Sequence, residues 1–197
     1  MAEQPWLIIA DASVAINLNA TDRAMEILRA LPFRVAMTEI AQSELQADRR
    51  SGRGDAALLA KLVQAQCVAI VSLDAAALEI FAELVAGPAA ETLDDGEAAT
   101  IAYAVTRDAV PVIDERKGRR ICRARFGERP MLSTVELFMH PAVAAALGRD
   151  ILGDAVFRAL QTARMRVLPE YVDWVVALIG IDRAHQCPSL PRRVRLP

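Results

Sequence analysis

Residues 7–18, which read LIIADASVAINL, restrict the fold of this 197-residue chain more than any other stretch. Leu7, Ile8 and Ile9 form an apolar run without polar alternation, the pattern of a parallel strand that is buried on both faces. Asp11 follows this run, so we expect its carboxylate at the carboxyl end of a sheet, where open α/β folds bind their ligands. Asp is also a good helix cap, and on this stretch alone a cap explains Asp11.

Short strand candidates alternate with helical patterns over roughly the first 135 residues, which is typical of a parallel sheet with helices on both faces. The other strand candidates are residues 34–37, 67–72, 110–113 and 129–132. Apolar residues recur at helical spacing in 21–31, 38–47, 55–66, 74–85, 94–106 and 116–126. Beyond His140 the strand signals stop. The remaining chain is predicted to form helices at 142–147, 151–163 and 170–179 and an extended, basic tail at 187–195.

The composition excludes several classes of protein. Hydrophobic residues make up 54% of the chain and charged residues 24%, so a sizeable core can form and disorder is not expected. The net charge of −2 gives no overall signature of nucleic-acid binding, so such a role would depend on local patches. No run approaches the ~20 apolar residues of a membrane span, and we expect no secretory signal. The three cysteines lack zinc-ligand spacing, which favours a reducing, cytoplasmic location.

Four acidic residues stand out by their positions relative to the predicted elements. Asp114 follows the strand candidate at 110–113. Because parallel strands point the same way, Asp114 and Asp11 are expected at the same edge of the sheet. Glu44 lies inside a helix, on a face that can pack against the sheet, and Glu97 lies in the first turn of another helix.

Each of these acids also has a purely structural explanation. Glu97 lies three residues after Asp94, as in a capping box. Glu44 could be a solvated helix residue, and Asp114 with Glu115 could begin a helix, where acids are favourable. Four like charges at one edge, however, would raise one another's pKa unless a divalent cation lay among them. Oxygen ligands without Cys or His suit Mg²⁺ or Mn²⁺, which promote hydrolysis at phosphorus by activating water.

A basic run begins next to Asp114. Residues 116–129 carry seven Arg and Lys residues against a single Glu. Phosphate contacts supply most of the non-specific affinity of proteins for nucleic acids. We therefore predict that the four cations nearest to Asp114 bind a nucleic-acid backbone, namely Arg116, Lys117, Arg119 and Arg120. A solvated helix face and charge balance for the acids are the alternatives.

Four segments together resemble the PIN-domain family of metal-dependent nucleases, in particular the branch related to VapC-type toxins. They are IIADASVAINL at 8–18, TEIAQSEL at 38–45, LDDGEAATIAYA at 93–104 and VIDERKGRRICRARFG at 112–127. Each segment is a weak signal alone. Their order and spacing resemble the family's over roughly residues 7–138.

The resemblance implies a three-layer α/β fold with a central parallel sheet of about five strands. The PIN-like nuclease domain would cover residues 1–140, and a C-terminal helical extension with a basic tail would cover 141–197. The resemblance also implies an endoribonuclease that uses Mg²⁺ or Mn²⁺. The catalytic and metal-binding acids would be Asp11, Glu44, Glu97 and Asp114, supported by Ser13 and Glu115. RNA would be the substrate. An antitoxin-like protein inhibitor or a second copy of the chain would be a partner if the protein is the toxin of a toxin–antitoxin pair.

Two other functions stay open at this point. A non-catalytic PIN-like module that binds RNA or protein would fit the long extension and Glu97, because the family often has Asp at that position. A phosphatase of the haloacid-dehalogenase type also has an Asp after its first strand. That class needs a second acid two residues later, where this chain has Ser13. The apolar residues of the extension must be covered, and packing on the main domain is favoured over a homodimer.

Overall fold

The computed structural model describes residues 6–47 and 54–195. Its strands are Leu7–Ala10 (β1), Arg34–Thr38 (β2), Ala69–Val71 (β3) and Val110–Val112 (β4). They form a parallel sheet in the order β3-β2-β1-β4. Strand β1 is internal, since Ile8 pairs with Val35 on one side and with Val110 on the other. The α/β class and the parallel arrangement predicted from the sequence are confirmed.

Helices cover the sheet and continue beyond it. Between the strands lie Ala12–Ala20 (α1), Ala24–Ala30 (α2), Glu39–Ala47 (α3), Asp55–Gln64 (α4), Ala75–Val85 (α5) and Asp95–Thr106 (α6). After the last strand come Arg116–Phe126 (α7), Thr134–Met139 (α8), Pro141–Leu147 (α9) and Arg149–Thr162 (α10). A 3₁₀ turn at Pro169–Tyr171 then leads to Val172–Ile179 (α11), Ile181–His185 (α12) and Arg192–Arg195 (α13). No described helix has the length and apolarity needed to cross a membrane.

Side-chain caps fix the starts of several helices where the sequence predicts them. Asp11, Asp74 and Asp94 each accept a hydrogen bond from a backbone N–H in the first turn of the following helix. Ser133 begins α8 in a reciprocal capping box with Glu136. The cap at Asp11 is therefore real, and it fixes the direction in which this carboxylate points.

The predicted fifth strand is reduced to one parallel bridge, between Val112 and Leu132. The Leu132 N–H donates to the Pro111 carbonyl at 3.0 Å, and the Leu132 carbonyl accepts from Ile113 at 2.8 Å. Pro130 has no N–H with which to extend this ladder toward its start. The prediction of an extended tail is also wrong at residues 192–195, because Pro191 precedes a short helix, and proline suits the start of a helix.

One buried apolar cluster joins the sheet to the C-terminal extension. It includes Ile8 of β1, Val14 of α1, Val156 and Leu160 of α10 and Val175 of α11. These five side chains have no exposed surface. The extension thus packs on the main domain, as the sequence favours, and α10 packs against α1.

Candidate active site

Two of the predicted acids lie at the carboxyl ends of neighbouring strands. Ala10 of β1 and Val112 of β4 are paired in register, and Asp11 and Asp114 follow within two residues. Their exposed fractions are 6% and 5%. The parallel sheet therefore brings both carboxylates to one edge, called the acidic edge below, as the sequence predicts.

Among the described residues, Asp11 accepts hydrogen bonds on one carboxylate oxygen only. Its Oδ2 accepts from the Ser13 hydroxyl at 2.9 Å and from the Ser13 N–H at 3.3 Å. Its Oδ1 is buried and has no hydrogen-bond partner among the described residues. Ser13, predicted as a supporting residue, thus orients the carboxylate and leaves the second oxygen unsatisfied.

Glu44 of α3 approaches Asp11 across Gly96 of α6. The Gly96 N–H donates to Glu44 Oε1 at 2.7 Å. A Cβ atom placed on Gly96 would lie 2.3 Å from Glu44 Oε2 and 3.0 Å from Asp11 Oδ1. Both carboxylates therefore occupy the space next to Gly96. A side chain at position 96 would collide with them.

Glu97 adds a third carboxylate at the start of α6. Its backbone N–H donates to the cap residue Asp94 at 2.9 Å, so the capping role expected from the sequence is present. Its side chain is 4% exposed, and Oε1 has no hydrogen-bond partner in the described part of the chain. A Cβ on Gly118 of α7 would lie 2.8 Å from this oxygen. A glycine inside α7 thus makes room for Glu97.

The three carboxylates are costly to ionise in this environment. Burial raises the pKa of Asp11 to about 6, that of Glu44 to about 7 and that of Glu97 to about 8. The negative charge of Asp11 raises the pKa of the other two further, and Asp94 raises the pKa of all three. The carboxylate of Asp11 therefore lies close enough to those of Glu44 and Glu97 for their charges to repel one another.

Asp114 lies at the same edge but is held differently. Its Oδ1 accepts from the Thr134 N–H at 2.7 Å. Its Oδ2 accepts from the Thr134 hydroxyl at 2.6 Å and from the Asn17 amide at 2.9 Å. Burial raises its pKa, and these hydrogen bonds act in the opposite direction. Asp114 is thus a fixed carboxylate with both oxygens satisfied.

A family model described as a PIN domain matches residues 7–127, which is more than half of the chain. The chain belongs to the PIN-domain family. No curated protein and no solved structure matched it. PIN domains are generally nucleases and typically use divalent metal ions.

The acids of this PIN domain are chemically suited to bind a divalent ion, although the described side chains are not arranged as a complete coordination site. In residues 6–47 and 54–195, no three His, Cys, Asp or Glu side chains are arranged to hold a metal ion as they stand. Two buried carboxylate oxygens, one on Asp11 and one on Glu97, nevertheless have no hydrogen-bond partner within the part of the chain that the structure describes. A donor set of carboxylates alone is the kind that Mg²⁺ and Mn²⁺ prefer.

The predicted nucleic-acid contacts of α7 lie in three different environments. Arg119 is 9% exposed and donates to the carbonyls of Leu132 at 3.1 Å and Ile113 at 3.3 Å, so the fold uses its guanidinium internally. Lys117 and Arg120 donate at the surface to the carbonyls of residues 89 and 90. Arg116 is exposed. Of the four cations, Arg119 thus does not fit the surface role predicted for it.

Several residues of the site escape sequence reasoning. Asn17 and Thr134 hold Asp114 from positions 97 and 20 residues away along the chain. Asp94 appears in the sequence as a cap alone, yet its charge acts on three carboxylates. Gly118 carried a usable signal, because glycine in a helix interior is unfavourable and often marks a close approach.

Proposed function

We propose that this PIN domain is a Mg²⁺- or Mn²⁺-dependent endoribonuclease that hydrolyses RNA phosphodiester bonds. The observation that carries the proposal is a pair of buried oxygens, Asp11 Oδ1 and Glu97 Oε1, for which the described residues supply no hydrogen-bond partner. A buried charge without a partner is strongly unfavourable unless a cation compensates it. Family membership supports nuclease chemistry in general.

Asp11, Glu44 and Glu97 would bind the ion, and Asp114 would complete the acidic edge. When bound, such an ion lowers the pKa of a water molecule and neutralises charge that develops on the phosphate. The chain itself orients the acids. Ser13 fixes Asp11, the Gly96 N–H fixes Glu44, and Thr134 with Asn17 fixes Asp114. Such orientation of ligands typically contributes 10- to 100-fold in metal affinity or activity.

The experiment is metal-dependent cleavage of a fluorogenic single-stranded RNA by wild type and Asp11→Asn. The substitution keeps the shape of the side chain and removes its charge, so we expect more than about 100-fold loss of activity with the fold intact. Asp150→Asn is the matched control, because Asp150 is an exposed residue of α10. Undiminished metal-dependent cleavage by Asp11→Asn would refute the proposal.

A non-catalytic RNA-binding module is the second candidate. It is favoured by the lack, among the described residues, of three acids arranged to hold an ion. It predicts that wild type binds RNA with the same affinity in EDTA and in Mn²⁺ and cleaves none. Calorimetric titration with Mn²⁺ separates the two candidates, because only the ribonuclease requires uptake of the ion.

The toxin role predicts a further, cellular outcome. Expression of the wild type should arrest growth, because RNA cleavage would be unchecked without an inhibitory partner protein. The Asp11→Asn variant should permit growth at the same expression level. Equal growth with the two proteins, when wild type is active in vitro, would exclude the toxin role and leave the ribonuclease activity unaffected.

A further inference from the structure

We propose that Arg164 and Arg166, on the segment between α10 and the 3₁₀ turn, bind a phosphate of the RNA next to the acidic edge. This inference rests on the proposed ribonuclease function. It gives the C-terminal extension a part in substrate binding, although the extension lies outside the matched residues 7–127.

The two arginines line a cavity of about 130 Å³ together with residues that hold the acids. Its other walls include Ser13, which donates to Asp11, and Asn17, which donates to Asp114. Pockets for drug-sized ligands occupy about 300–1,000 Å³, so this cavity suits a group the size of phosphate rather than a whole nucleotide. A phosphate bound here would lie directly beside the acidic edge.

The core fixes the segment that carries the arginines. Met165, between them, is 1% exposed, and its N–H donates to the Ala159 carbonyl at 3.1 Å. Leu168 is also buried. Both arginines are exposed, so two cations are presented from an anchored backbone. Little ordering of the main chain would be needed when a phosphate binds.

The charges in the cavity leave donors for an anion. Arg166 forms an ion pair with Glu115, with 2.8 Å between a guanidinium nitrogen and Oε1, and 64% of the Arg166 side chain stays exposed. A guanidinium has five N–H donors, so one carboxylate does not exhaust it. Within the described residues, no carboxylate lies within 4.0 Å of the Arg164 guanidinium. The other acid of the cavity, Asp114, accepts hydrogen bonds on both oxygens.

The first test is binding of a fluorescein-labelled, random-sequence single-stranded RNA in EDTA, over a series of KCl concentrations. Loss of two charge-assisted contacts in Arg164→Ala/Arg166→Ala should weaken binding about tenfold. The slope of log Kd against log salt should fall by about 0.7, since one neutralised phosphate of a single strand contributes about that amount.

Arg158→Ala is the matched control for this test. Arg158 is an exposed arginine within α10 that forms an ion pair, but its partner Asp22 lies beyond the end of α1 opposite to Asp11. Its removal should change neither the affinity nor the salt slope. Wild-type affinity and slope in the double variant, or an equal loss in Arg158→Ala, would overturn the inference.

A second test uses glycine substitutions to distinguish a role of Arg164 in RNA binding from a role in stability. Arg164 lies just after the end of α10 and has a φ of +53°. Gln66 lies just after the end of α4 and has a φ of +57°. Glycine adopts this left-handed conformation more readily than other residues. Both Arg164→Gly and Gln66→Gly should therefore raise the melting temperature by about 2–4 °C. Only Arg164→Gly should weaken RNA binding, because Gln66 lies near the amino end of β3. Destabilisation by Arg164→Gly, with RNA affinity unchanged, would assign Arg164 a structural role instead.

The outcomes distinguish this inference from the function on which it rests. If wild type cleaves RNA and the arginine variants bind and cleave equally well, the inference alone fails. If wild type binds RNA through these arginines but cleaves none in Mn²⁺, the ribonuclease function fails and the phosphate site stands. If wild type neither binds nor cleaves RNA, both fail.

Discussion

Glu97 and Asp114 are both buried carboxylates at the acidic edge, but the fold treats them in opposite ways. Asp114 has both oxygens hydrogen-bonded by Asn17 and Thr134. Glu97 has an oxygen without a partner among the described residues and lies against Gly118. Burial raises the pKa of both carboxylates, but hydrogen bonds oppose this effect at Asp114, whereas none is present to do so at the Glu97 side chain among the described residues. The difference separates the acid that the scaffold holds from an acid that awaits a cation.

The largest expected effect comes from Glu97→Gln and Asp114→Asn compared in one experiment. Both variants should lose about 100-fold or more of the proposed ribonuclease activity. In EDTA at pH 8, Glu97→Gln should unfold at higher urea concentration than wild type, because it removes an uncompensated buried charge. Asp114→Asn should be less stable by about 1–3 kcal/mol, since its amide nitrogen would face a hydrogen-bond donor of Thr134 or Asn17. Stability changes of the same sign in the two variants would contradict this comparison.

A smaller loss is expected when the support of Asp114 is removed. Thr134→Val deletes the hydroxyl that donates at 2.6 Å, so we expect a 10- to 100-fold fall in kcat and a lower free energy of unfolding. Thr134→Ser keeps the donor and should restore most of the rate. Thr21→Val is the control, because its buried hydroxyl donates to the Leu18 carbonyl, at the end of α1 away from Asp11. A comparable loss of kcat in the control would show that any buried threonine matters.

The pH dependence of stability should report the acids whose pKa is raised by burial. The folded-state pKa values of Asp11, Glu44 and Glu97 are about 6, 7 and 8, above the ordinary values of 3.8 for Asp and 4.5 for Glu. The folded protein therefore keeps protons that the unfolded chain has already released, and stability is lost as the pH rises from the ordinary values to these raised ones. In EDTA, the melting temperature should fall between about pH 4 and pH 8.

Two comparisons sharpen this pH prediction. Glu97→Gln should flatten the upper part of the curve, and Asp150→Asn should leave it unchanged. Added Mn²⁺ should raise the melting temperature more at pH 8 than at pH 5.5, because the ligands must lose protons to bind it. A melting temperature that rises with pH in EDTA would show that the acids are satisfied by groups of the fold.

Local sequence patterns predicted those parts of the molecule that depend on local chemistry. An apolar run followed by Asp11 gave the strand and its cap, and the bounds of α7 matched the prediction. Long-range partners left no such signal, as the Asn17–Asp114 bond shows across 97 residues. The strand predicted at 129–132 is longer than the single bridge observed at Leu132. Its apolar residues suggest a strand, but Pro130 has no N–H to pair with a neighbouring strand.

The sequence contains an indication that Arg119 of α7 is buried. Arg119 lies in a run of cations, which suggested a surface helix. It also lies three residues before Cys122, on the face that Gly118 and Cys122 bury. Its guanidinium could enter the interior because backbone carbonyls of residues 113, 131 and 132 accept its hydrogen bonds. Charge alone does not identify the exposed face of a helix, and the apolar spacing has to be considered with it.

The smallest expected effect on RNA binding comes from comparing an exposed cation of α7, Arg116, with a buried one, Arg119. Arg116 is exposed and, within the described residues, forms no hydrogen bond or ion pair, so its guanidinium is free for phosphate. Arg116→Ala should weaken RNA binding about two- to threefold and lower the salt slope by about 0.7. Arg119→Ala should leave the slope unchanged and destabilise the fold, because three carbonyls would each lose a hydrogen bond from the guanidinium. Salt titrations and urea unfolding of the two variants provide the measurement. A reduced slope in Arg119→Ala with unchanged stability would mean that its guanidinium reaches RNA, which its burial in this structure does not allow.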